Sequence, residues 1–204
     1  PLLFRGQGPA APGADTPWRT EAVDAATAAR LMAAGRMDDP ADYEADPGLV
    51  DAVNVALLLG RPLLLTGRPG TGKSQLADRV AWEFGLAPVL RFEAQSISEA
   101  KDLFYGFDFV GRMAAAQGAG GSAEAARWIT LRALGKAVLY SLPQPAVPAA
   151  QGGVQLDPPH PSPATGRASV VLIDEVDKAS RDFPNDLLNA MDRLAFEIPE
   201  LGNL

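Results

Sequence analysis

Cysteine is absent from the 204 residues, and histidine occurs once. Without thiols the chain has no disulfide framework, no thiolate metal site and no cysteine nucleophile, which fits a reducing cytoplasm. The single histidine, His160, stands among Pro158, Pro159, Pro161 and Pro163 with no partner for a catalytic triad or a metal site, and reads as a solvated loop residue. Long hydrophobic runs are missing too. The longest, Val55 to Leu59, is stopped by Gly60-Arg61, well short of the ~20 residues that span a bilayer, and no secretory signal pattern is visible. Positive charge is in the minority, with 18 Lys+Arg against 25 Asp+Glu and a net charge of -7. That balance excludes a surface devoted as a whole to nucleic acid or anionic lipid, and leaves room only for a local basic patch. Pro1 rather than Met stands first, as expected of a processed product or a fragment.

Glycine (20) and proline (18) are plentiful and clustered. Residues 1 to 17, with Pro1, Pro9, Pro12 and Pro17 and no hydrophobic periodicity, read as a poorly ordered lead-in. Trp18 to Ala34 supports a helix closed by Gly35, and a second helix is expected from Pro47 or Gly48 to Leu59, ended by Gly60. The run Pro62-Leu63-Leu64-Leu65-Thr66 reads as a strand buried on both faces of a parallel sheet. A helix from Lys73 to Phe84 follows, stopped by Gly85, then a strand over Pro88 to Phe92 and a short helix from Ser98, its candidate cap, to Tyr105. Gly106 to Ser122 reads as irregular, Glu124 to Ser141 as helical, and the proline-rich stretch 143 to 166 as a long surface insertion. Ser169 to Ile173 is a third buried strand and Pro184 to Leu194 a helix with proline first. Strands alternating with helices at these lengths imply an α/β sheet with flanking helices, divided into a lead-in with one helix over 1–47 and a core over 48–204.

The chemistry gathers at two places. Gly67-Arg68-Pro69-Gly70-Thr71-Gly72-Lys73-Ser74 matches G-x-x-x-x-G-K-[ST] directly after the first predicted strand and before a helix. Glycines let the backbone curl so that amides from about Gly70 to Ser74 converge on a polyphosphate, at a helix end whose dipole favours anions. Lys73 supplies point charge for the β and γ phosphates, Ser74 a hydroxyl for Mg²⁺. The nucleotide-binding set is taken as Gly67 through Gln75. The second place is Val170-Val171-Leu172-Ile173-Asp174-Glu175, an apolar strand leaving into two carboxylates. Asp174 suits a Mg²⁺ ligand and Glu175 a general base for the attacking water. No N-K-x-D motif for reading guanine is present, and a second carboxylate that activates water has no evident use in a small-molecule kinase, so ATP hydrolysis is the better reading.

On these residues the chain resembles the MoxR-type AAA+ ATPases: Leu63 to Ala77, then Val170 to Asp192 with Leu-Ile-Asp-Glu-Val-Asp-Lys-Ala and Pro-Asn-Asp-Leu-Leu-Asn, within a match over about residues 43 to 200. The resemblance implies a P-loop NTPase sheet of order 5-1-4-3-2, ATP with Mg²⁺, a hexameric ring, and a von Willebrand A-type partner that is remodelled or matured. It offers Tyr43 and Val50 as adenine contacts, and Gln95 and Ser96 as polar residues that restrain Glu175. It places Asp177 and Lys178 in the turn after Glu175 or at a subunit boundary. It also implies a sensor strand starting near Glu200, with an arginine finger and a helical lid that cannot be placed in these residues, so the 204 residues alone should turn over little ATP. A gap is expected between the strands ending at Thr66 and Ile173. A nucleotide-dependent binding switch without turnover is the alternative from another functional class.

Overall fold

In a computed structural model the described residues are 3–7, 39–117, 125–143, 153–157, 159, 164–193 and 196–201. The helix expected over residues 18–34, most of the 143–166 insertion and His160 lie outside them. The chain divides into two compact units, Pro1–Val89 with Ala168–Leu172, and Leu90–Arg167 with Ile173–Leu204.

In the first unit, helix α1 (Pro47–Leu59) is opened by Asp46, whose carboxylate accepts from the Gly48 N–H at 2.8 Å, and closed by Gly60 in the left-handed conformation (φ 60°). Helix α2 (Lys73–Glu83) follows the glycine loop, and Gly85 (φ 66°) lies just past its end. Val50 and Val53 of α1 and Leu76 and Ala81 of α2 join Phe84, Leu86 and Phe4 in one core.

Two expectations fail in this unit. Residues 62–66 form no ladder with any described segment, and Leu64 is 76% exposed. A central strand is buried by its neighbours and not by its own composition, and here Leu65 alone of the three leucines packs on the core. The lead-in is also not uniformly loose. Leu3 to Gly6 are docked, with Phe4 fully buried.

The second unit opens with β1 (Leu90–Glu93), which pairs with β4 (Val171–Asp174) in a parallel two-stranded sheet, continued where the Ala94 N–H donates to Asp174 O at 3.0 Å. This is the pairing of second and third strands that the expected order requires. β4 begins in the first unit and ends in the second, and its residues are half-buried.

The stretch expected to be irregular contains β2 (Tyr105–Phe107) and helix α3 (Phe109–Gln117). The stretch expected to be wholly helical opens with a 3-10 turn, Ala125–Trp128, and β3 (Ile129–Leu131) before helix α4 (Ala133–Ser141). β2 and β3 pair antiparallel, with Tyr105 opposite Leu131 and Phe107 opposite Ile129. Three-residue strands are too short to display an alternation, which is why composition reads them as loop and helix. The short helix expected from Ser98 is a 3-10 turn, Ala100–Leu103, capped by Glu99 and Asp102 in a reciprocal box while the Ser98 hydroxyl accepts from Gln95 N at 2.9 Å. α4 packs so closely that a side chain at Gly135 would strike the Phe104 carbonyl. Val154, inside the expected insertion, is fully buried. Helix α5 (Phe183–Arg193) completes the unit, and Phe183 stacks on Phe92 with ring centroids 6.5 Å apart.

Candidate functional site

The glycine loop and the carboxylate pair belong one to each unit, and each is built by its own surroundings. In the loop, Gly67 (φ 155°), Gly70 (φ 79°) and Gly72 (φ 77°) take backbone angles that side-chain-bearing residues rarely adopt. Around Gly70 nothing lies within 4 Å of where a Cβ would stand, so the backbone there is open to an incoming ligand. Thr71 Oγ1 donates to Arg68 O at 3.0 Å and cinches the turn. The Lys73 ammonium donates to Gly67 O at 2.9 Å and Arg68 O at 2.7 Å. It thus sits in the mouth of the loop, held by neutral carbonyls that an anionic oxygen would displace with a stronger charge-assisted bond.

α2 begins at Lys73, and its cap, Gly72, has no side chain to occupy the helix amino end. A helix start without a capping side chain presents N–H groups and the positive end of the dipole. Ser74 is half-buried on the first turn and Gln75 is exposed. A polyphosphate fits this donor set: open glycine backbone, one ammonium and an uncapped helix start. Tyr43 stands against the same turn, with its ring carbon Cε2 3.1 Å from the position of a Gly72 Cβ, and burial pushes its phenol pKa up. Val50 points into the core at 8% exposure, which is the packing role and not that of a base contact.

In the second unit, β4 carries Asp174 to its end and the chain turns at Glu175. Asp174 Oδ1 accepts from the Glu175 N–H at 2.9 Å. Glu175 has φ 57° and ψ 35°, the one left-handed non-glycine among the described residues. Left-handed backbone at a side-chain-bearing residue costs roughly 1 kcal/mol and persists where the surroundings over-determine it. Here the strand hydrogen bond at Asp174 O fixes one side and a 3-10 turn, Val176–Lys178, the other. The Glu175 carboxylate forms an ion pair with the Lys178 ammonium, and this contact raises the Lys178 pKa.

Gln95 and Ser96 are exposed on the segment after β1. Asp177 is exposed in the turn, as expected of a solvated residue. Of the aromatic stretch 104–109, Phe104 and Tyr105 are core residues stacked on Phe196, whereas Phe109 is 62% exposed. Among the described residues no cluster of three or more His, Asp or Glu could hold a metal by itself. The hydroxyl of Ser74 and the carboxylate of Asp174 are the hard oxygen donors that Mg²⁺ prefers.

Sequence reasoning passed over three polar residues of the first unit. Asn54, Arg79 and Glu83 are 6%, 0% and 2% exposed; Asn54 Nδ2 donates to Val50 O at 2.8 Å and Arg79 Nη2 to Glu83 Oε2 at 3.3 Å. Asn54 interrupts the apolar face of α1, a readable signal. An Arg and a Glu four apart on a helix look like an ordinary surface pair, and nothing in the pattern marks them as buried.

A family model described as AAA domain (dynein-related subfamily) matches residues 62–204. No curated protein and no solved structure matches the chain.

Proposed function

The chain belongs to the dynein-related subfamily of AAA domains, and from that premise we propose that it binds ATP with Mg²⁺ and hydrolyses the γ-phosphate in MoxR-like fashion, to remodel or mature a partner protein. AAA domains are nucleotide-binding ATPases, so the class of activity follows from membership. The carrying observation is the Lys73 ammonium held in the mouth of an open glycine loop at an uncapped helix start.

In this reading, loop amides and Lys73 bind and orient the β and γ phosphates, and Tyr43, beside Gly72, borders the adenosine side. Ser74 and Asp174 would hold Mg²⁺, which supplies charge neutralisation at the phosphate oxygens. Glu175 takes the proton of the attacking water at its carboxylate, and its left-handed backbone sets the direction from which that carboxylate points. Assembly into a hexameric ring and a von Willebrand A-type partner remain part of the proposal, resting on the resemblance of residues 63–77 and 170–192. The test is calorimetry of Mg-ATP binding to the parental protein and to Lys73→Ala. We expect a loss of about ten- to hundredfold in affinity, the range for one charge-assisted contact. Equal affinities would overturn the assignment.

A further inference from the structure

The groove between α1 and α2 holds Leu3 to Gly6 as a binding site holds a peptide. Asn54 Oδ1 accepts from Leu3 N at 2.8 Å and Phe4 N at 2.9 Å, while its Nδ2 donates to Phe4 O at 2.9 Å. Glu83 Oε1 accepts from Arg5 N at 2.6 Å and Oε2 from Gly6 N at 3.2 Å. Gly6 O accepts from Ala45 N at 2.9 Å. The recognition is therefore of main chain, with two side-chain requirements. Phe4 is fully buried in the core. Gly6 has φ +72°, and a Cβ there would stand 2.6 Å from Ala45 Cβ and 2.7 Å from Val50 Cγ2. The groove reads an aromatic, then any residue, then glycine. It also demands an occupant, because an emptied groove would leave the buried Asn54 amide and Glu83 carboxylate without the backbone groups that offset their desolvation.

The groove is wired to the glycine loop inside the same unit. Glu83 Oε2 pairs with Arg79 Nη2 at 3.3 Å. Arg79 Nη1 donates to Pro40 O and Ala41 O, both at 3.2 Å, and so grips the 3-10 turn Pro40–Asp42. Tyr43 follows that turn and packs against Gly72, the residue before Lys73. Each link is a direct contact, and Arg79 and Glu83 sit one helical turn apart on the helix that starts with Lys73.

We infer that the α1/α2 groove is a peptide-recognition site for an aromatic-x-Gly segment, that residues 3–6 are its resident ligand, and that its occupancy sets nucleotide affinity through Glu83, Arg79 and Tyr43. The last clause rests on the ATP-binding reading, and the peptide site does not. The test uses the full chain carrying Phe4→Asp, which expels the segment and leaves the groove intact. The probe is a fluorescein-labelled peptide of residues 2–7 followed by anisotropy. The Phe4→Asp chain should bind it about tenfold or more tightly than the parental chain, whose groove is filled by a tethered ligand at millimolar effective concentration. Its affinity for Mg-ATP should be reduced by about threefold or more and restored by saturating peptide, and ATP should tighten the peptide by that same factor, since coupling is reciprocal. A peptide with alanine in place of the phenylalanine should do neither.

If Phe4→Asp does not fold by circular dichroism, Gly6→Ala in the full chain replaces it, since the added methyl would meet Ala45 and Val50 and unseat the segment while every groove side chain, Asn54 and Glu83 included, stays unchanged. A folded variant that binds no peptide, or binds it no better than the parent, overturns the site. Peptide binding without any change in nucleotide affinity overturns the coupling. A parental chain that binds no ATP overturns the ATPase reading instead, and the anisotropy result still decides the groove.

Discussion

Lys178 Nζ lies 2.5 Å from Glu175 Oε2, so the carboxylate assigned as base is met by an ammonium from its own turn. The lysine side chain is 57% exposed, and an exposed, solvent-screened pair of this kind adds little to stability. Lys178 therefore orients the carboxylate without locking it away from a substrate water.

Glu175→Gln should keep Mg-ATP affinity and lose about 10² to 10⁴ in single-turnover hydrolysis, because the amide preserves shape but cannot accept a proton. Asp174→Asn should instead weaken the Mg²⁺ dependence of binding. Hydrolysis by Glu175→Gln at the parental rate would remove Glu175 from the mechanism.

Glu175→Gly separates stability from chemistry. Glycine adopts φ 57° without the Cβ penalty, a relief of roughly 1 kcal/mol that is offset in part by the lost Lys178 pair. Urea denaturation should find this variant at least as stable as the parent while turnover is lost. A clear drop in midpoint would show that the left-handed turn is not strained.

Glu83→Ala leaves the buried Arg79 guanidinium and the Arg5 and Gly6 amides without the carboxylate that joins them. Breaking a buried pair from one side costs about 3–5 kcal/mol. Thermal unfolding should show a large loss, and a cost near zero would mean that the groove rearranges around water.

Tyr105 donates its hydroxyl to Glu200 Oε2 at 3.0 Å. Burial first, then this bond, pushes the phenol pKa up to about 12. Burial does the same for Tyr140. A phenol raised above its unfolded value of 10 adds stability that is fully present below pH 10 and is lost as the pH climbs through 12. For Tyr105 the loss is on the order of 1–3 kcal/mol. Tyr105→Phe should start about 1 kcal/mol less stable at neutral pH and show a shallower alkaline fall in chemical denaturation, and parallel pH profiles would refute the coupling.

Local chemistry made some of this legible. Gly60 and Gly85 end α1 and α2 where the pattern places them, the glycine loop leads into the expected helix, and the Asp174-Glu175 step closes the expected strand. What escaped depends on partners remote in sequence. Leu64 is exposed because no described segment pairs with it, and a run of leucines cannot announce its neighbours. Phe4 is buried because Asn54 and Glu83, 50 and 79 positions later, present groups to the backbone around it. The β2–β3 pair hides in an alanine- and glycine-rich stretch because its strands are three residues each.

The docked segment of residues 3–6 has a practical corollary for anyone handling the protein. A purification tag or dye fused just ahead of Leu3 would stand two residues from the fully buried Phe4 ring and would push or pull on the groove it occupies. The same placement suits an environment-sensitive fluorophore, whose emission would then report whether the segment is seated, and an unlabelled preparation becomes the reference against which any measurement labelled at that point is judged.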